Sequence, residues 1–432
     1  MAPRRGSYFL YDLALGLAAL LLLPFVALRS LLSISFRQGV RERMGFVPSL
    51  QSQPRVLLHG VSVGEVRAMR PLVAELRLQY PDLDFVISST TRSGIETAHK
   101  VFPHLTVVRF PVDLRGVVSR FLKRVKPTSV ILVELEIWPN FLRACDHMDI
   151  HVAILNGRIT EKSIRGYRRV QRFLPQFDRI ALYGVQNDAY AQRFRSLNVP
   201  PDRIRILGNL KYDMLPTEQD ALEWLQSPWK QWLGGASNLA LASTHESEEV
   251  DWLTALAAEP RFDAYRLVVV PRHPKRVEGL LPRLQAAAPQ RQVLLRSQLQ
   301  EGKSLPQDAI LLVDTFGELE LIFRSSQVAF LGGSLIPHGG QNVLEPAALG
   351  CPVLIGPHFE NFIEEVELLQ ACGGLKVGEC VPDLIEFALN WLEQPDCAIA
   401  AGQLAAEVLT SRRGSSRKCC QALAAAGLLP TP

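Results

Sequence analysis

Short runs of apolar residues recur along this chain, and most are followed by a stretch with helical spacing. The first series opens at Val56 with VLLHGVSVGE; helix-like spacing then runs from Val66 to Leu78, and FVISST follows a turn at Tyr80–Asp82. LTVVRFPVD, the helical GVVSRFLKRV, SVILVELE, a helix from Pro139, HVAILNG, IALYGVQN and RIRILGN continue it. A second series starts at Leu239 with LALASTHESEE and passes through RLVVVPRHPKR, QVLLRS and AILLVDTFGELELIF to the stretch Val328 to Phe362. Apolar strands alternating with helices belong to parallel sheets covered on both faces. The 432 residues suffice for two such units. The expected fold class is therefore α/β, with two Rossmann-like, doubly wound domains in tandem. Ligands bind such sheets at the carboxyl ends of the strands, and a pair of domains leaves a cleft for them.

Ahead of the first strand, Leu13 to Leu28 (LALGLAALLLLPFVAL) carries no charge. Sixteen helical residues cover roughly 24 Å, short of a hydrocarbon core of roughly 30 Å. A span assisted by its flanks and a monotopic or signal-anchor helix fit equally well. A cleaved signal peptide competes, but no small-x-small site follows and export would expose an odd set of thiols. Arg29, Arg37, Arg41 and Arg43 after the segment, against Arg4 and Arg5 before it, favour keeping the rest of the chain in the cytoplasm. The seven cysteines contain no CxxC pair and no zinc-like spacing, which fits reduced cytoplasmic thiols. A net charge of only +4 gives no reason to expect a nucleic-acid partner.

Three places carry candidate chemistry. In Val328 to Phe362, an apolar strand at Val328–Leu331 leads into a loop with two Gly-Gly pairs, a short helix expected near Gln341, and a strand at Pro352–Ile355. Glycines let a backbone approach a ligand, and N–H groups at a helix start suit a phosphate. Glu345 falls in that helix's first turn, where it could accept bonds from sugar hydroxyls. In HGVSVGE, Glu65 stands where a helix begins; it either serves as a proton acceptor or only complements the helix dipole. Arg158, Lys162, Arg165, Arg168, Arg169 and Arg172 crowd around a single acid, Glu161, either as a solvated helix face or as a contact for anionic headgroups. Asp82-Leu83-Asp84 has the form of a metal-binding DxD, but it lies in a turn before its strand and is set aside.

HGVSVGE, VELEIWPN (Val133–Asn140), GNLKYD (Gly208–Asp213), STHESEE (Ser243–Glu249), VPRHPKR (Val270–Arg276), DTFGEL (Asp314–Leu319) and GGQNVLEP (Gly339–Pro346) together resemble the 3-deoxy-D-manno-octulosonic acid (Kdo) transferases of lipopolysaccharide synthesis. The match in order and spacing covers nearly the whole chain. The resemblance implies a GT-B glycosyltransferase whose two domains face each other across a cleft. It would move Kdo from a CMP-Kdo donor to a lipid A precursor (lipid IVA) at the cytoplasmic side of the inner membrane. The implied organisation is a membrane anchor over 1–35, an acceptor domain over 36–215 and a donor domain over 216–432, the final helical stretch from Ala398 to Ala426 being free to pack back on the first domain.

By the same resemblance, Glu65 activates the acceptor hydroxyl, and Glu134 and Lys211 stabilise the transition state, with Glu136 an alternative to Glu134. Arg272 and His273 would bind the donor; Gly317, Glu318 and Leu319 would hold cytidine through backbone groups; Asn342, Val343, Leu344 and Glu345 would complete the donor pocket. CMP-Kdo has one phosphate, so no metal or other cofactor is expected. One base and no protein nucleophile imply a single inverting displacement. The rival readings are a GT-B enzyme using a UDP-sugar and a membrane-anchored binding protein without catalysis.

Overall fold

The computed structural model describes residues 5–171, 174, 176–216, 224–234, 237–300 and 305–430. They form two compact units, one of residues 1–214 with 412–432 and one of residues 215–411. The residues from 412 on thus lie with the first unit. The single helical stretch expected from Ala398 to Ala426 is two helices, Pro395–Thr410 and Ser415–Ala425, separated at Gly414, whose φ of 92° a helix interior does not accommodate.

The first unit holds seven parallel strands: β1 (Arg55–His59), β2 (Asp84–Ser89), β3 (Thr106–Arg109), β4 (Ser129–Val133), β5 (His151–Gly157), β6 (Leu182–Val185) and β7 (Ile204–Ile206), in the order β3-β2-β1-β4-β5-β6-β7. Side chains of successive strand residues point to opposite faces, and the two cores follow that rule. Leu57, Val86, Val130, Leu132, Val152 and Ile154 enter one. Val56, Leu58, Phe85, Ile87, Ile131 and Val133 enter the other. Asp84, from the discarded DxD, pairs at 2.6 Å with the buried guanidinium of Arg55.

Two helices precede this sheet: α1 (Arg5–Leu32) and α2 (Ile34–Arg43). Leucine and phenylalanine side chains of α1 are exposed along its length, from Phe9 to Leu32. The helix is long and apolar enough to associate with a membrane.

The second unit holds β8 (Asn238–Thr244), β9 (Arg266–Pro271), β10 (Val293–Leu295), β11 (Ile310–Leu312), β12 (Val328–Leu331), β13 (Val353–Ile355) and β14 (Leu375–Val377), all parallel, in the order β10-β11-β9-β8-β12-β13-β14. In each sheet the first strand of the unit lies inside, flanked on both sides by later strands. The loops leaving β1 and β4, and those leaving β8 and β12, therefore lie side by side where the strand order reverses, the place where open α/β sheets bind ligands.

Candidate active site

β1 passes through Gly60 into the helix α3 (Val63–Gln79). Gly60 packs closely under this turn: a Cβ there would lie 2.4 Å from the mobile Met69 Cε and 3.0 Å from Glu65 Cβ. Ser62 Oγ accepts the Glu65 backbone N–H at 3.2 Å, and Glu65 accepts in return from the N–H of Ser62 at 3.3 Å and of Val61 at 2.7 Å. This reciprocal cap fixes the half-buried carboxylate at the mouth of the sheet. A carboxylate has about four acceptor positions; the cap uses two, so a substrate hydroxyl can still be received.

Glu134 follows β4 directly and has a φ of 63°, left-handed backbone that a glutamate adopts only when its surroundings hold it. Its N–H donates to Leu155 O at 2.9 Å, which holds the turn against β5. Burial raises the pKa of Glu134, and the Glu65 charge raises it further, while Arg158 and Lys211 pull it down. Glu65, Glu134 and Lys211 are thus within electrostatic reach of one another. Lys211 is placed by the turn after β7: Asn209 Oδ1 accepts its N–H at 3.0 Å, and Asn156 Oδ1, at the end of β5, accepts the N–H of Leu210 at 3.1 Å.

Glu136 belongs to the same cluster. Burial is the main cause that lifts its carboxyl to about 7, with Glu65 and Glu134 adding to it and the indole N–H of Trp138, donated at 2.9 Å, opposing it. A carboxyl whose folded pKa lies above its unfolded value favours folding below the unfolded pKa, and that contribution is lost as pH rises through the folded pKa. Stability is accordingly expected to fall between pH about 4.5 and about 7, and Glu136→Gln should flatten this slope in chemical denaturation series. An unchanged slope would show that Glu136 does not titrate in that window.

A groove of about 770 Å³ leads off from the same segment, lined among others by Leu10, Tyr11, Ile137, Pro139, Tyr167 and Val170. The helix Glu161–Gln171 borders it and exposes Lys162, Arg165, Arg168 and Arg169. Its one acid, Glu161, pairs with Arg193 at 3.4 Å. Arg172 lies outside the described residues.

In the second unit the β8 and β12 loops are joined by a carboxylate. Glu248 is fully buried and accepts four backbone N–H bonds, from His245 (2.8 Å), Gly333 (2.8 Å), Ser334 (3.2 Å) and Leu335 (3.1 Å). Burial raises its pKa, and the N–H groups oppose that shift. A Cβ on Gly332 would stand 2.4 Å from Thr244 Cα, so the two loops can meet this closely only with glycine there.

His245, at the end of β8, lies among cationic and imidazole groups. Burial is the largest cause that lowers it to about 4, followed by His338, Arg276, His273 and Arg272. The neutral ring stands 4.2 Å from that of His338 and accepts at Nε2 from the Gln341 amide at 3.3 Å. His245 therefore connects the Arg272–His273 loop, whose side chains are exposed, with the loop carrying Gln341 to Glu345. Arg276 is anchored by a bidentate pair to the buried Glu249, at 2.8 and 3.2 Å.

The helix expected near Gln341 begins at Leu344 and ends at Ala348. Asn342 Oδ1 accepts the Leu344 N–H at 3.2 Å and its amide donates to Glu345 at 3.0 Å, so the preceding residues form a turn. Five residues give only a small dipole. Val343 and Leu344 are buried, whereas Glu345 is exposed. Glu318 is occupied: Arg296 and the Trp229 indole donate to it, as does the Thr315 hydroxyl. Gly317, with a φ of 85°, and Leu319 offer backbone, and the helix Leu319–Arg324 packs beside Leu344–Ala348. Among the described residues, no cluster of His, Cys, Asp or Glu is placed to hold a metal ion.

Each unit thus gathers its own candidate residues: the carboxylates and Lys211 in the first, the Arg272 loop and the Asn342–Glu345 loop in the second. His245 and Glu248 join the site without having been singled out by spacing. Both stand in the quoted STHESEE motif directly after a strand, and that position was the available signal.

Residues 38–214 match the family described as 3-Deoxy-D-manno-octulosonic-acid transferase (kdotransferase). The chain is 31% identical over 424 residues to the 3-deoxy-D-manno-octulosonic acid transferase of Haemophilus influenzae, covering 95% of this chain and 96% of that one. Among solved structures, the C-terminal CMP-Kdo binding domain of WaaA from Acinetobacter baumannii is 30% identical, covering 45% of this chain and 99% of that one, with a TM-score of 0.40. A UDP-GlcNAc 2-epimerase from Neisseria meningitidis, 15% identical, superposes over 86% of this chain and 100% of its own with a TM-score of 0.59, a likeness of fold.

Proposed function

The chain belongs to the 3-deoxy-D-manno-octulosonic acid transferase family, and on that premise we propose that it is an inverting GT-B glycosyltransferase that moves Kdo from CMP-Kdo to a lipid A precursor in lipopolysaccharide synthesis. The observation that carries this reading is the carboxylate cluster at the strand-order reversal of the first sheet, where Glu65 is held by its cap with acceptor positions to spare.

In this reading Glu65 takes the proton of the acceptor hydroxyl as that oxygen attacks the anomeric carbon of Kdo. The bond to the phosphate of CMP breaks, and the configuration inverts. Lys211 and Arg158 supply positive charge beside Glu134, where preorganised cations can balance the Kdo carboxylate or the departing phosphate. Glu134 favours positive character developing on the sugar ring. Arg272 and His273 receive the phosphate of CMP, the former with the fork geometry that suits phosphate oxygens. The backbone of Gly317–Leu319 holds cytidine, and Glu345 meets the ribose hydroxyls.

The lipid acceptor is supported by the groove between α1 and the helix Glu161–Gln171 and by the basic residues that helix exposes. The exposed apolar α1 supports attachment to the inner membrane, with the globular part on the cytoplasmic side. Incubation with CMP-Kdo and a tetra-acylated lipid A precursor, read by mass spectrometry, tests the reading; a lipid product heavier by one or more Kdo residues is expected.

A further inference from the structure

The apolar helix α1 has the length to cross a bilayer, since its 28 residues rise roughly 42 Å. Its attachments are incompatible with crossing. At its front, Tyr11 Oη donates to Asp113 Oδ2 at 2.8 Å, and Asp12 Oδ1 accepts the Asn140 side-chain amide at 2.6 Å. One turn earlier, the Tyr8 hydroxyl accepts from Gln176 at 2.7 Å, and its ring lies 4.7 Å from the Arg143 guanidinium. Asp113 and Asn140 are buried, and Asp113 also receives the N–H groups of Asn140 and Phe141, so this docking point is part of the core of the first unit.

Behind α1 the chain turns at Ser33 into α2, which packs back on α1 and on β3. There Arg43 O accepts the N–H of Val112 at 2.9 Å, Met44 O accepts from Arg120, and Glu42 pairs with Arg109 at 3.2 Å. Val112 and Asp113 are consecutive residues, so their Cα atoms lie about 3.8 Å apart. The front of α1 and the end of α2 are therefore fastened to adjacent residues of one folded unit. A helix that crossed the bilayer would place Tyr11 and Asp12 on the far side of roughly 30 Å of hydrocarbon from that unit.

The geometry points to α1 lying within a single leaflet, with both ends on the side of the bilayer that the first unit occupies. The charge pattern agrees. Asp12 stands at one end of the uncharged stretch and Arg29 at the other, with Arg37 exposed about one turn past the elbow, so both ends stay at headgroup depth while the leucines between them meet acyl chains. The inference rests on the membrane association proposed above and adds its topology.

Sidedness labelling tests it. In full-length chains with Cys372, Cys380 and Cys397 replaced by Ser, the remaining native thiols are buried. Ala2→Cys reports the start of the chain, Ser35→Cys the elbow and Arg92→Cys an exposed position of the first unit. Sealed inner-membrane vesicles of both orientations are treated with a membrane-impermeant maleimide, and detergent-opened samples confirm that each thiol can react. The expected result is that Ala2→Cys, like Ser35→Cys, labels in the orientation that labels Arg92→Cys and is protected in the other. Labelling of Ala2→Cys from the opposite side, or from neither, overturns the inference and leaves the membrane association standing. Recovery of the unsubstituted chain in the soluble fraction removes both.

Discussion

Glu65→Gln is expected to lower the rate of Kdo transfer by about 10²–10⁴-fold, the usual contribution of a positioned proton acceptor. The amide keeps an oxygen that can accept the Val61 N–H, now bonded to the carboxylate at 2.7 Å, so the start of α3 is retained while the base is lost. Glu65→Ala also removes the carboxylate half of the reciprocal cap, leaving Ser62 Oγ on the residue 65 N–H, and costs up to roughly 1 kcal/mol more in stability. The pair of variants separates the two roles open to this residue. A base gives a large loss of turnover in both with little change in folding for Gln. A helix cap alone gives near-normal turnover in Gln and modest destabilisation in Ala. Affinity for CMP should hold in both, because the loops proposed to hold the donor belong to the second unit. Loss of transfer in Glu136→Gln with retention in Glu65→Gln would move the proton acceptor to Glu136.

Glu248→Ala is expected to have the second largest effect, on donor binding and on folding together. Four backbone N–H groups converge on this buried carboxylate. Buried donors left without a partner cost about 1–3 kcal/mol each, so even with partial rehydration a loss of roughly 3 kcal/mol or more follows. The β8 and β12 loops would separate, and with them His245 and the turn that carries Asn342 and Glu345. CMP binding, followed by calorimetry, should fall in proportion. Glu248→Gln keeps one carbonyl oxygen and turns the other acceptor into a donor facing N–H groups, so it should recover little. A variant with an unchanged unfolding midpoint and unchanged CMP affinity would show that the loops hold without this bond set.

The sheets were legible because parallel strands are buried on both faces and read as apolar runs; VLLH and VAFL show it directly, each wholly buried. Capping was legible in part. Ser62 followed three residues later by Glu65 is a local pattern, visible in the letters, and the structure closes it. The position of Glu248 after a strand was visible but its role was not, because its partners include Gly333, Ser334 and Leu335, far along the chain, and no local spacing announces such bonds. The helix start at Leu344 instead of near Gln341 depended on the Asn342 side chain taking a backbone N–H, a choice that spacing leaves open. The break falls at Gly414, a single glycine in an alanine-rich stretch whose helical spacing runs on past it. Asp213 explains the separate course of the tail, accepting the N–H groups of Gly414 and Ser416 at 2.7 and 2.5 Å. The pairing of Tyr11 and Asp12 with Asp113 and Asn140 was likewise invisible in an N-terminal segment that reads only as apolar.

The sugar that is moved decides between a Kdo transferase and a transferase using a UDP-sugar. Purified chain supplied with CMP-Kdo and UDP-N-acetylglucosamine at equal concentration, together with a tetra-acylated lipid A precursor, can be read directly by the mass of the lipid product. A Kdo transferase gives a mass gain of one or more Kdo residues, dependent on CMP-Kdo and lost in Glu65→Gln. A gain of N-acetylglucosamine, or an unmodified lipid in the presence of intact CMP-Kdo, would contradict that reading.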